Sequence, residues 1–200
     1  MVTVKKFEVG ELNTNCYLVI EGNSGILIDA GENPGEIIGY IQSRDIKLRA
    51  ILATHGHFDH ILGIPEIKKY FDGVISYLHR NDKNLVRNDR RTHSIVIDRY
   101  IDREGELNFG QIKVKVIETP GHTLGSVTYL IDSYLFTGDT LFNESIGRYD
   151  LGGDKELLRK SLEKLKQMND LLTVYPGHGF FTTLGYEKIH NPFLNGEIEW

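Results

Sequence analysis

The 200-residue sequence predicts an α+β protein, and three observations carry that reading. Short runs of Val, Ile, Leu and Tyr closed by turn residues recur along the chain and read as strands. Between them lie stretches with helical apolar spacing, clearest over residues 155–168. The 21 glycines exceed the ~7% average of soluble proteins, as many tight turns between short strands require.

The first thirty residues give strands over 2–9, 15–21 and 25–29, with Gly22-Asn23-Ser24 turning between the last two, and predict antiparallel sheet. Cys16, followed by Tyr17-Leu18-Val19-Ile20, reads as a buried strand thiol. The third strand stops at Asp29, either a turn former or a carboxylate that holds ligands from behind. Asn33, Pro34 and Glu36 predict a capped helix start, and Ile37, Ile38 and Ile41 give that helix an apolar side up to Ser43. The strand over 48–53 is apolar enough to be covered on both faces, and it delivers the chain directly to Thr54-His55-Gly56-His57-Phe58-Asp59-His60.

Ile61, Ile64, Ile67 and Tyr70 then form a helical stripe, either continuous from His60 or restarting at Pro65. A strand over 74–78 follows. Residues 79–99, polar and rich in arginine, read as a solvated helix or loop in preference to a substrate lid. A hairpin over 106–118, turning at Asn108-Phe109-Gly110, leads to Thr119-Pro120-Gly121-His122-Thr123. Strands over 126–131 and 134–136 end in Thr137-Gly138-Asp139. Asp154 caps a helix over 155–168 with a stripe of Leu157, Leu158, Leu162 and Leu165. The strand over 171–175 runs into Pro176-Gly177-His178-Gly179, and a helix over 183–190 is stopped by Asn191-Pro192. Segments 25–29 and 134–139 echo one another as apolar strands ending in Asp, which fits two similar sheet halves facing one another.

The length suits a single domain over residues 1–200. A net charge of −5 and scattered Lys and Arg leave no footprint for a phosphate backbone, so nucleic acid is excluded as a partner. One cysteine allows no internal disulfide, and no apolar run reaches membrane-spanning or signal-peptide length. The expectation is a soluble cytoplasmic protein.

Four times a strand ends in a sharp turn that carries a ligand-type residue. Three imidazoles and a carboxylate within six positions form the densest of these, and such a density reads as a metal cradle. The donors suffice for two cations: His55, His57 and His122 on the first, Asp59, His60 and His178 on the second, with Asp139 shared between them. His and Asp suit zinc, iron and manganese alike, and the expectation is two divalent cations, zinc first, with iron or manganese as alternatives. His79, His93 and His190 read as ordinary residues outside the site.

Taken together, Thr54-His55-Gly56-His57-Phe58-Asp59-His60, Pro120-Gly121-His122-Thr123, Thr137-Gly138-Asp139 and Pro176-Gly177-His178-Gly179 resemble the metallo-β-lactamase superfamily, in its order and over nearly the whole chain. Gly138-Asp139-Thr140-Leu141-Phe142 with Ser145-Ile146-Gly147-Arg148, and Asn191-Pro192-Phe193-Leu194, are similar to the short bacterial forms of its glyoxalase II branch. The resemblance implies an αββα four-layer sandwich, two facing mixed sheets with helices outside, and a dinuclear site at one edge. It also implies hydrolysis of an acyl thioester of the S-D-lactoylglutathione type by a hydroxide that bridges the cations and is oriented by Asp59. Arg148 falls where the branch has a substrate-binding lysine, and Asp29 is the candidate support behind the ligands; Arg148 could equally pair with Asp150 or Asp154. The classical members add a C-terminal helical domain, whereas this chain ends soon after Leu194. The alternatives on the same fold are a mononuclear iron persulfide dioxygenase and a lactonase or other ester hydrolase.

Overall fold

The computed structural model describes residues 1–200 and contains two six-stranded sheets. In the first, β1 (Thr3–Val9), β2 (Thr14–Glu21) and β3 (Ser24–Ile28) pair antiparallel, and β4 (Lys47–Leu52), β5 (Ile75–His79) and β6 (Arg99–Ile101) add in parallel. In the second, β7 (Gly105–Phe109), β8 (Ile112–Glu118), β9 (Val127–Ile131) and β10 (Tyr134–Gly138) run antiparallel. A short hairpin of β11 (Leu141–Phe142) and β12 (Ser145–Ile146) leaves the second sheet, to which β13 (Thr173–Pro176) returns in parallel beside β10, with β14 (Thr182–Thr183) at the edge.

Period-two alternation explains the layering. In β3, Ile26 and Ile28 face inward and Leu27 outward; in β4, Ala50 and Leu52 face inward and Ile51 outward. The inward set meets Ile112, Val114, Val116, Tyr129 and Phe136 of the second sheet, which closes the central core. The outward set of the first sheet packs on α1 (Gly35–Ser43) and α3 (Ile64–Tyr70) through Ile37, Ile41, Ile64 and Ile67. On the other side Leu135 and Val174 pack on α5 (Lys155–Lys166), α6 (Leu184–His190) and α7 (Pro192–Asn195) through Leu158, Leu162, Leu165, Leu184 and Leu194. Three apolar seams between four layers make an αββα sandwich. No helix is long and apolar enough to cross a membrane.

Several expectations are corrected. Asn33 does not cap α1: its φ of 58° puts it in the left-handed region, Pro34 holds the cap position, and no side chain there accepts a helical N–H. The helix after His60 is not continuous, since α2 (Phe58–Ile61) ends and α3 starts afresh with Pro65 in its first turn, where a missing N–H costs nothing. The 106–118 hairpin turns at Gly110-Gln111, slightly later than expected, with Gly110 supplying the positive φ of 68°. Asn191-Pro192 does stop α6, but the Asn191 side chain then caps α7 by accepting from the Phe193 N–H. Asp154 caps α5 as its sequence indicates, accepting from the Leu157 N–H at 2.9 Å.

The topology fixes where a site can lie. Parallel neighbours β3 and β4 end together, releasing Asp29 and the 54–60 loop at one edge of the first sheet. Parallel neighbours β10 and β13 end together in the second, releasing Asp139 and the 176–179 loop at the facing edge. Carboxyl ends of parallel strands are where rigid backbone meets free side chains, so both loops are firmly supported.

Candidate metal centre

All seven predicted donors meet at this edge. Their donor atoms form three overlapping groups, His55–His57–His122, His55–His60–Asp139 and Asp59–His60–His178, with the atoms of each group within 4.8 Å of one another. Asp139 lies between the two triads: its Oδ2 is 3.5 Å from both His122 Nε2 and His178 Nε2, and its Oδ1 is 3.4 Å from His60 Nε2. Asp59 Oδ2 lies 3.3 Å from the Nε2 atoms of His60 and of His178.

The outer face of every ring determines its tautomer. His122 Nδ1 donates to the Arg148 carbonyl at 2.6 Å, His178 Nδ1 to the Leu12 carbonyl at 3.1 Å, and His60 Nδ1 to Asp29 Oδ2 at 2.8 Å. Thr54 Oγ1 donates to Asp29 Oδ2 at 2.9 Å and therefore accepts from His55 Nδ1 at 3.1 Å. His57 is reversed, its Nε2 donating to the Leu151 carbonyl at 3.4 Å. In each case the inner nitrogen of the neutral ring is a bare lone pair, the arrangement that metal-binding imidazoles require.

Three of the inward atoms lack protein partners, and two more face each other. His55 Nε2, His60 Nε2 and Asp139 Oδ1 are buried without a hydrogen bond, and His57 Nδ1 faces His122 Nε2 at 2.9 Å. Leaving buried acceptors unpaired costs about 1–3 kcal/mol each, so the arrangement fits cations between the rings. Burial, reinforced by the neighbouring imidazoles, pushes His55 well below its ordinary value and keeps it neutral. Burial opposes ionisation of Asp59, but the adjacent His178 and His60 rings and the Thr14 hydrogen bond outweigh it and hold the carboxyl far below the usual range. Burial also opposes charge on His60 and His178; the carboxylates around them outweigh it, and both are raised.

Asp29 stands behind the centre, accepting from the Thr54 N–H at 2.7 Å as well as from Thr54 Oγ1 and His60. Both readings open for Asp29 describe it: its φ of 58° makes the turn at the end of β3, and its carboxylate supports the ligands. Arg148 lines the cavity over the centre, but its guanidinium is held bidentately by Asp150 at 2.6 and 2.7 Å. Cys16 is buried, accepts from the Gly31 N–H at 3.2 Å, and is pushed up to about 12 by burial.

The cavity has a volume of about 670 Å³ and joins the donor atoms to apolar walls from Leu12, Phe58, Phe142, Ile146 and Leu151. Residues 79–99 correct the expectation of a merely solvated segment. Leu85, Asp89 and Arg91 form one wall, and Arg91 lies 3.4 Å over the Phe58 ring while its guanidinium pairs with Asp89. Thr14, which donates to Asp59 Oδ2 at 2.9 Å, was likewise invisible in the sequence, lying one residue before the strand expected over 15–21. His79, His93 and His190 lie outside the donor groups; His79 pairs with Glu118 at 3.0 Å and His93 with the Arg90 carbonyl at 2.8 Å.

Comparison with known proteins agrees with this geometry. The chain is 35% identical over 206 residues to the "Probable metallo-hydrolase YqgX" of Bacillus subtilis, covering 96% of this chain and 97% of that protein. It is 32% identical over 211 residues to the "Hydroxyacylglutathione hydrolase GloC" of Haemophilus influenzae, covering 98% and 100%. Among solved structures, the BLEG-1 B3 metallo-beta-lactamase superposes with a TM-score of 0.90 at 33% identity, over 97% of this chain and 100% of that one. TTHA1623 in a di-iron-bound form superposes with a TM-score of 0.85 at 36% identity, over 96% and 100%. The metallo-beta-lactamase superfamily profile matches residues 9–178, a span that begins in β1 and ends on the last of the seven donors. A chain with this sandwich, this ordered donor set and this match belongs to the metallo-beta-lactamase superfamily.

Proposed function

We propose that the protein is a dinuclear metal-dependent hydrolase of acyl thioesters of the hydroxyacylglutathione type. The observation that carries the reading is the set of inward lone pairs on His55, His60 and Asp139, buried and unpartnered beneath a cavity open to a small substrate. The 32% identity to the Haemophilus protein over nearly both whole chains supports the thioester class.

His55, His57 and His122 would hold one cation and Asp59, His60 and His178 the other, with Asp139 between. Zinc suits these donors, and iron is supported by the di-iron relative. When bound, such a pair acidifies water and polarises an acyl oxygen.

The chain's own residues do the rest. Asp59 Oδ2, fixed by Thr14 on one side and flanked by His60 and His178 on the other, can accept a hydrogen bond from the attacking water and orient it. Asp139 spreads its charge over both halves, so the site stays balanced as negative charge grows on the acyl oxygen. Leu12, Phe58, Phe142, Ile146 and Leu151 exclude bulk water and receive the apolar part of the thioester. Arg91 and Arg148 lie along the walls, where their guanidinium groups attract the carboxylates of a peptide-like thiol. A thiol of pKa about 8.5 leaves readily as thiolate, which suits a site without an added general acid.

The test is direct. Protein carrying two equivalents of metal is expected to release free thiol from S-D-lactoylglutathione, and His57→Ala or Asp139→Ala to abolish the release. Undiminished turnover in either variant rejects the assignment. A lactone, a β-lactam and a persulfide with oxygen monitoring belong in the same panel. The resemblance to BLEG-1 favours including the β-lactam, and oxygen uptake at one iron per chain would replace hydrolysis by dioxygenation.

A further inference from the structure

Asp82 lies on the turn between β5 and α4 (Lys83–Asn88), far in sequence from every donor, yet it is only 1% exposed. A buried carboxylate is costly unless each oxygen is satisfied, so its partners show what its burial is for. Oδ2 accepts from the Gly56 N–H at 2.8 Å and from Thr123 Oγ1 at 2.7 Å, and Oδ1 accepts from the Gly125 N–H at 2.7 Å. Gly56 is the residue between His55 and His57. Thr123 directly follows His122.

The hydrogen-bond directions are fixed by the carboxylate. An ionised Asp82 only accepts, so the Thr123 hydroxyl must donate to it; Ser126 Oγ, 2.8 Å away, then donates to Thr123 and accepts the Thr123 N–H at 3.0 Å. The two loops are cleared to let the carboxylate in. A Cβ at Gly56 would lie 3.0 Å from Asp82 Cβ and 3.0 Å from Val86 Cγ2, and one at Gly125 would lie 2.6 Å from Asp82 Cγ. These contacts explain the glycine between the paired histidines, which metal-ligand chemistry alone does not require.

We infer that Asp82 is the positioning residue for the three-histidine half of the centre, clamping the 55–57 loop to the 122–125 loop so that His55, His57 and His122 converge. This rests on the dinuclear reading above. Asp29 braces the other half directly through His60 Nδ1, and reaches His55 only at one remove, through Thr54 Oγ1. The inference predicts that the three-histidine cation depends on Asp82, which contacts no element of the other half.

The experiment is a Co²⁺ titration of full-length wild type, Asp82→Asn, Thr123→Val and Thr123→Ser, followed by visible absorption and by cobalt content after desalting. His57→Ala, which removes a donor of the three-histidine half, serves as the spectral reference for loss of that site. Asparagine presents an amide where Gly56 or Gly125 donates, so Asp82→Asn is expected to weaken one of two cobalt ions by about 10–100-fold and to reproduce the His57→Ala spectrum. Thr123→Val is expected to shift the same ion in the same direction, and Thr123→Ser to restore it, with the other ion unaffected. Equal weakening of both ions, unchanged affinity in a folded Asp82→Asn, or failure of Thr123→Ser to rescue would overturn the inference. If Asp82→Asn does not fold, the Thr123 pair decides. Wild type that binds fewer than two cobalt ions per chain overturns the dinuclear reading itself, a separate result from failure of the clamp.

Discussion

Thr14 Oγ1 lies 2.9 Å from Asp59 Oδ2, so the first residue of β2 fixes the rotation of a carboxylate 45 positions away. The same stretch pins the opposite loop, because the Asn15 N–H donates to the Gly177 carbonyl at 2.7 Å and the Tyr17 hydroxyl to the Pro176 carbonyl at 2.6 Å. Strand β2 thereby references Asp59 and His178 to one frame. Thr14→Val keeps the β-branched shape and removes only the donor. A hydrogen bond to a charged group contributes about 1.5–3 kcal/mol, so kcat is expected to fall about 10–100-fold with KM little changed. Steady-state kinetics on a cleaved thioester check it; an unchanged kcat would show that Asp59 needs no outer support.

Metal loading should release protons. His60 and His178 are raised by their carboxylate neighbours, so without cations they hold an extra proton to higher pH than a free imidazole does, and a metal must displace it. The two forms should then respond oppositely to pH. In the metal-free chain, a raised histidine contributes stability that is complete below its unfolded value of about 6.5 and is lost as pH rises through the folded value. In the loaded chain, affinity rises with pH as proton competition fades. Melting temperatures from pH 6 to 9, with and without chelator, are expected to diverge; parallel curves would mean that His60 and His178 carry no extra proton in the metal-free chain.

Arg148 offers a graded test of substrate charge. Its pairing with Asp150 is fully exposed to solvent and already satisfies two of its donors. Arg148→Ala is therefore expected to raise KM for a carboxylate-bearing thioester by less than roughly fivefold, the range of an exposed ion pair. A neutral thioester should be unaffected. A much larger rise would mean that Arg148 leaves Asp150 when substrate binds.

Asp154 joins helix stability to the site. It caps α5 through the Leu157 N–H, and its own N–H donates to the Gly121 carbonyl at 2.8 Å, one residue before His122. Asp154→Ala is expected to cost about 1 kcal/mol in urea denaturation, the usual value of a lost cap. Metal content should be retained, because the backbone bond to Gly121 survives the substitution.

The sequence by itself determined the donor types, their order along the chain, and the strand-and-turn segments that bear them. Those are local properties: the strands expected over 48–53 and 134–136, found at 47–52 and 134–138, announce themselves by composition, and three histidines within six positions need no folded context to stand out. The echo between segments 25–29 and 134–139 was also legible, and in the fold each of these strands lies parallel to the strand that carries a histidine loop. Only the tertiary structure decided which neighbours hold the donors. Asp82 reaches across 41 positions to Thr123, Thr14 across 45 to Asp59, and Arg91 back to the Phe58 ring, and no periodicity or spacing encodes such pairings. The physical reason is that a strand's faces are dictated by its own alternation, whereas the partner of a buried carboxylate is set by how two sheets and their loops pack.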